Sequence, residues 1–154
     1  MKLKTPLRYP GGKSRAVPKL LQWLPSREIT EYREPFLGGG SMAIEMTRRL
    51  PEEVPIWVND LYEPLYNFWV QLRDNGDYLH SELIKAKNFH PDEDTARELF
   101  LKSKENLNDS KRCQEDRAVD FYIINKCSFS GLTESSSFSK AASNSNFSYR
   151  GIER

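Results

Sequence analysis

The sequence predicts an α/β chain of the doubly wound type with a helical body set into it, and three observations carry that prediction. Gly38-Gly39-Gly40 follows a short extended run, Tyr32 to Phe36, and opens a helix from Ser41 to about Leu50. A second apolar run, Ile56-Trp57-Val58, ends at Asn59-Asp60 and puts a carboxylate twenty residues past Gly40. From Glu63 to about Asn125 the pattern turns to helices. Glycines let a backbone approach a ligand that a Cβ would push away, and an acid at this distance is where a doubly wound sheet holds ribose hydroxyls. The order strand, glycine turn, helix, strand, acid therefore points to a nucleoside-cofactor site.

The totals set bounds on this reading. At 154 residues the chain has room for one compact domain, or one domain with a small insertion. With 38% hydrophobic and 29% charged residues it is globular in composition, not disordered. The net charge of +1 hides an uneven distribution. Residues 1–33 carry eight Lys/Arg against Glu28 and Glu31, a balance of +6, and residues 126–154 carry +2, which leaves −7 for the segment between. Two basic ends around an acidic middle suit a polyanionic partner. Cys113 and Cys127 have no CxxC spacing and no histidine cluster, so neither a metal site nor a disulfide framework is indicated. The basic opening followed by Pro10-Gly11-Gly12 does not read as a signal peptide, and no apolar run approaches membrane-spanning length. A cytoplasmic protein without membrane contact is expected.

Each element has its own signals. Lys13 or Ser14 opens a helix to about Leu24, with Val17, Leu20, Leu21 and Leu24 on one face, Pro18 in its first turn and Pro25 as its stop. Pro51 and Pro55 bracket the turn before the second strand. In the helical middle, Leu65, Phe68, Trp69 and Leu72 keep helical spacing until Asn75-Gly76 breaks it. Pro91-Asp92 starts another helix with Ala96, Leu99, Phe100 and Leu107 facing inward, and a third covers roughly Glu115 to Asn125. After Lys126 the composition shifts to Ser, Asn, Gly and Phe, as a polar hairpin or a partly mobile loop.

Three constellations carry chemistry. Gly38, Gly40 and Ala43 fit G-x-G-x-x-G/A, with Asp60 downstream; Asp60 also suits a helix cap ahead of Leu61 to Trp69. Gly11-Gly12-Lys13-Ser14 resembles the end of a Walker loop, but the first glycine of that loop would fall on Leu7. What remains there is a glycine turn with a cation at a helix start, fit for an anionic group. Lys126 to Arg150 combines Ser and Asn with Phe129, Phe138, Phe147 and Tyr149, hydroxyls and amides for phosphates and base edges beside aromatics able to fill a gap in a base stack.

Taken in order, these segments resemble the Dam-like, D12 class of adenine-specific DNA methyltransferases. The residues that carry the resemblance are Tyr9-Pro10-Gly11-Gly12-Lys13, the loop Glu34 to Ser41, the pair Asn59-Asp60, and Asn125-Lys126-Cys127-Ser128-Phe129-Ser130-Gly131. The resemblance implies an incomplete Rossmann-like methyltransferase core over 1–62, an inserted helical DNA-recognition subdomain over 63–125, and a polar hairpin or loop contacting DNA over 126–154. It implies S-adenosyl-L-methionine as cofactor and double-stranded DNA as partner, with methyl transfer to the exocyclic amine of a flipped adenine. Tyr9 would pack near the cofactor, Lys13 would meet its carboxylate and Asp60 its ribose hydroxyls. Glu34, Gly38 and Gly40 would line its methionine end. Arg8, Lys126, Phe129, Ser130 and Arg150 would face DNA, with Phe129 as the candidate wedge.

One departure stands against these matches. The family's catalytic motif is Asp/Asn-Pro-Pro-Tyr/Phe, yet the nine prolines here all lie at or before Pro91 and no two are adjacent. No catalytic residue is therefore assigned. The motif is expected downstream of Arg154, so the chain reads as the N-terminal portion of a longer enzyme, inactive alone unless a complementing chain supplies the motif. Lys126 stands where the family usually has Arg, and Glu134 where many members carry a basic residue. Two alternatives stay open: a fragment of an NAD-dependent oxidoreductase, favoured by G-x-G-x-x-A and Asp60, and a non-catalytic DNA-binding module that leaves its cofactor pocket unused.

Overall fold

A computed structural model describes residues 4–133 and 135–153, so the expectation placed on Glu134 lies outside the described residues. Its sheet has two parallel strands, β1 (Tyr32–Glu34) and β2 (Ile56–Val58), with Tyr32 opposite Ile56, Arg33 opposite Trp57 and Glu34 opposite Val58. The helix α2 (Ser41–Arg49) makes the crossover between them. Of the doubly wound core expected from the sequence, the described residues hold this one strand–helix–strand unit. β1 stops at Glu34, short of the expected Phe36, because Pro35 has no N–H to offer a ladder.

The expected first helix is broken. A 3-10 turn at Lys13–Arg15 leads to α1 (Val17–Leu20), and a second 3-10 turn follows at Leu21–Trp23. Pro18 sits at the start of α1, where it removes a donor, and four residues are too few to sustain a helix without tertiary support. Only Val17 of that face is buried, and Leu20 is exposed. Val17 joins Met42 and Met46 of α2 in a small cluster that Leu21, Leu24, Ile29, Tyr32, Leu50 and Ile56 flank.

The rest of the chain folds around one buried helix, α6 (Gln114–Cys127), which runs two residues past its expected end. Every residue from Ala118 to Cys127 is buried, most of them apolar, and a helix enclosed in this way belongs at the centre of a bundle. α3 (Glu63–Asp74), α4 (Gly76–Phe89), α5 (Glu93–Leu107) and α7 (Lys140–Asn146) pack around it. Phe68 of α3 lies 5.5 Å from Phe121 and 6.0 Å from Tyr122, ring to ring. α4 was not separated from its neighbours by the sequence pattern; it starts at Gly76, directly after the break that ends α3. Asp92 caps α5 by accepting from the Thr95 N–H at 2.9 Å.

Beyond α6 the chain forms a loop closed by an antiparallel bridge between Ser128 and Phe138. The remainder of the segment read as a polar hairpin or loop is helical, as α7 and α8 (Tyr149–Ile152). Their caps are Ser139 and Ser148, which accept from the Ala142 and Gly151 N–H groups. Phe147 and Cys127 share one apolar cluster with α3 to α6, and so does Leu7 from the N-terminal arm. The arm thus leaves the strand unit and lies against the bundle, which places residues 8–10 between the two. Among the described residues no helix is long and apolar enough to cross a membrane.

Candidate cofactor site and nucleic-acid face

Both strands end at one place, and the site is built there. Leu37 N–H donates to the Asn59 carbonyl at 2.8 Å, and Asn59 N–H to the Glu34 carbonyl at 3.0 Å, which ties the glycine loop to the end of β2. The loop turns through Gly38 (φ +51°) and Gly40 (φ +66°), left-handed conformations that strain an L side chain. The space a side chain would take is already occupied. A Cβ on Gly38 would stand 2.9 Å from the Tyr9 ring, one on Gly39 2.9 Å from the Tyr9 Cβ, and one on Gly40 2.7 Å from the Trp69 ring. The glycines thus admit two rings of the chain itself, where the sequence reading had them clearing a path for a ligand. Trp69 Nε1–H also donates to the Gly38 carbonyl at 3.1 Å.

Tyr9, Lys13, Glu34, Gly38, Gly40 and Asp60 line one cavity of about 300 Å³, together with Phe36. All six residues expected around a cofactor are therefore neighbours. Asp60 braces the loop: one carboxylate oxygen accepts from Gly38 N–H at 2.8 Å, the other from Tyr62 N–H at 3.1 Å. It does not cap α3, whose N-cap is Tyr62. Each oxygen keeps a second lone pair for a hydroxyl donor. Burial pushes the Glu34 carboxyl above its ordinary range, against the opposing pull of the Tyr32 hydroxyl, the Lys13 charge and the Ala43 N–H. Burial, and then the Asp60 charge, raises the Tyr9 phenol. A carboxylate pair, a cation and an aromatic wall can hold a diol and a zwitterionic group together.

The residues expected to face DNA are less evenly placed. Phe129 is 65% exposed at the tip of the loop after α6, and Ser130 beside it is exposed at φ +56°. Arg150 is exposed on α8. Arg8 is half-buried, its guanidinium donating to the Ser128 carbonyl at 2.7 Å. Lys126 is inside, 8% exposed, with its ammonium 5.0 Å from the centre of the Tyr122 ring. A second cavity of about 320 Å³ opens on the other side of Tyr9, between Tyr62 and the segment Gly131 to Thr133. There the Thr133 hydroxyl donates to the Tyr62 hydroxyl at 3.0 Å.

A family model for D12 class N6 adenine-specific DNA methyltransferases matches residues 9–149. The chain belongs to that family. Among curated relatives, the type II methyltransferase M.MjaIII of Methanocaldococcus jannaschii is 27% identical over 140 residues, 86% of this chain and 48% of its own length. The type II methyltransferase M1.LlaDCHI of Lactococcus lactis subsp. cremoris is 27% identical over 128 residues, 81% of this chain and 41% of its own. The chain thus spans less than half the length of either relative.

Within this D12-class chain the sequence reading passed over three residues that the structure puts at the site. Trp69 read as one apolar position of a helix, and Tyr62 as a residue between strand and helix. Asn125, the first residue of a motif, had no role of its own. The available signal for it was an amide directly after the apolar run Phe121 to Ile124.

Proposed function

We propose that this chain is the cofactor-binding and DNA-recognition portion of an enzyme that methylates the exocyclic amine of adenine at a specific duplex site. The observation that carries this reading is the gathering of Tyr9, Lys13, Glu34, Gly38, Gly40 and Asp60 around one cavity at the ends of both strands. Family membership supports it, as does the name type II methyltransferase borne by both relatives, which favours a restriction-modification setting.

The donor set fits S-adenosylmethionine. The free lone pairs of Asp60 suit the ribose diol, Lys13 suits the carboxylate of the methionine end, and Glu34 suits its ammonium. Tyr9 closes the wall between them. When bound, the cofactor supplies a methyl group activated on a sulfonium. The chain's own residues position that group, and Arg8, Phe129 and Ser130 present a DNA face beside it, with Arg150 reaching DNA from α8, which packs on α4. Lys126, being interior, supports that face from beneath. No two prolines of the chain are adjacent, so the proline-pair motif that orients the target amine belongs to residues outside it, in a further segment or a complementing chain.

Calorimetric titration of S-adenosylmethionine, with NAD and Asp60→Ala as controls, tests the reading. Binding is expected for the unaltered chain, weakened more than about tenfold in Asp60→Ala, which loses the diol acceptors and the brace on Gly38. NAD should give no heat. Preference for NAD would move the chain to the oxidoreductases. Folded protein silent to both ligands, yet binding duplex DNA with steep salt dependence, would leave the DNA-binding module.

A further inference from the structure

Asn125 is 1% exposed, at the end of the buried helix α6. Its side-chain oxygen accepts from Arg8 N–H at 2.9 Å, and its amide nitrogen donates to the Arg8 carbonyl at 2.7 Å and the Gly131 carbonyl at 2.9 Å. One amide therefore holds both backbone groups of Arg8 and one of the loop. The two segments also touch directly. Gly131 has φ +76°, and a Cβ there would stand 2.4 Å from the Arg8 carbonyl oxygen. One residue on from Arg8, the Tyr9 ring lies against Gly38 and its Cβ against Gly39. An unbroken series of contacts thus runs from the loop carrying Phe129 and Ser130, through Asn125 and Arg8, to the wall of the cofactor cavity.

We infer that Asn125 is a positioning residue that couples the two faces of the site, setting the Tyr9 wall by the position of loop residues 128–133. The inference rests on the reading that the cavity takes S-adenosylmethionine and the loop faces DNA. Asn125 touches neither ligand in that arrangement; it acts through Arg8 and Gly131. Any displacement of Gly131 by bound DNA bears on the amide that fixes Arg8, and so on Tyr9. Linkage makes the effect reciprocal: duplex must change cofactor affinity by the factor by which cofactor changes duplex affinity. An asparagine that merely satisfied backbone groups would stabilise the fold and leave the two affinities independent.

The test measures binding of S-adenosylhomocysteine, which has no methyl to transfer, with and without a saturating mixed-sequence duplex. The duplex should tighten binding at least about fivefold in the unaltered chain. In Asn125→Ala that factor should fall below about twofold, under conditions where circular dichroism shows the variant folded. Should Asn125→Ala not fold, Gly131→Ala disturbs the same contact from the loop side and should show the same loss. A factor unchanged in a folded variant overturns the inference. So does an unaltered chain that binds both ligands independently, whatever the variants do. An unaltered folded chain that binds neither ligand fails the reading of the cavity and the loop, and the coupling falls with it.

Discussion

Gly40 and Gly11 both hold positive φ, +66° and +71°, yet their surroundings differ. A Cβ on Gly11 would meet nothing within 4 Å, so Gly11→Ala should cost only the left-handed strain, about 1–2 kcal/mol. At Gly40 the same change adds a clash with the Trp69 ring, which its bond to Gly38 keeps from swinging aside. Gly40→Ala should cost roughly 2–4 kcal/mol, read as a fall in Tm by scanning calorimetry. Glu34 gives a prediction in pH. Its folded pKa is raised by burial, so its ionised form is disfavoured in the fold, and stability declines as pH rises from the ordinary carboxyl value through the folded one. Glu34→Gln should therefore melt higher than the unaltered chain near neutral pH and level with it in acid, while binding S-adenosylmethionine more weakly. Equal melting near neutrality would sink the argument. The identity of these residues was legible because spacing alone puts glycines at a strand end and an acid at the next. That Asp60 spends an oxygen on Gly38 N–H, and that the glycines make room for Tyr9 and Trp69, depends on residues distant in sequence and was not.

Elements were legible where proline or glycine marks an end: Pro35 after β1, Gly40 and Pro51 around α2, and Pro55 before β2. They were obscured where the marker has two meanings. Gly76 both breaks α3 and opens α4, so one break conceals two helices. Ser139 and Ser148 cap α7 and α8, but in a serine-rich segment a capping serine is indistinguishable from a loop serine. An ionic arrangement lies inside the bundle: Asp120 on α6, 3% exposed, accepts from Arg112 at 2.5 Å and from Asn106 at 3.4 Å. Burial already raises the Asp120 carboxyl, and Arg112 opposes it most, with lesser pulls from Ser103 and Asn106. Arg112→Met should destabilise by roughly 3 kcal/mol, because it leaves a buried carboxylate without its cation. Denaturant melts should show that loss shrinking toward acid pH, where Asp120 takes up a proton; a loss independent of pH would assign it to packing instead.

The whole molecule carries its stability unevenly. α6 is enclosed by four helices, whereas the strand unit rests on three-residue strands and the small cluster of Val17, Met42 and Met46. Hydrogen exchange should find the slowest amides in α6 and faster ones in α1 and β1. Protection in β1 equal to that in α6 would show that one cooperative unit spans both. The sequence made the strand unit and the helical body visible as separate patterns, but not that Leu7 and the arm bind them together, since one buried leucine in a basic segment has no periodicity. The Asn125 clasp on Arg8 closes across 117 positions of chain. On a ribosome adding about 5–20 residues each second, roughly 6–23 s separate the addition of Arg8 from that of Asn125. A nascent chain released early would carry every glycine of the loop and still lack a set cavity. If the cavity and the loop bind as proposed, α6 thus acts as a timer for the strand unit made before it, and the two binding faces become competent together.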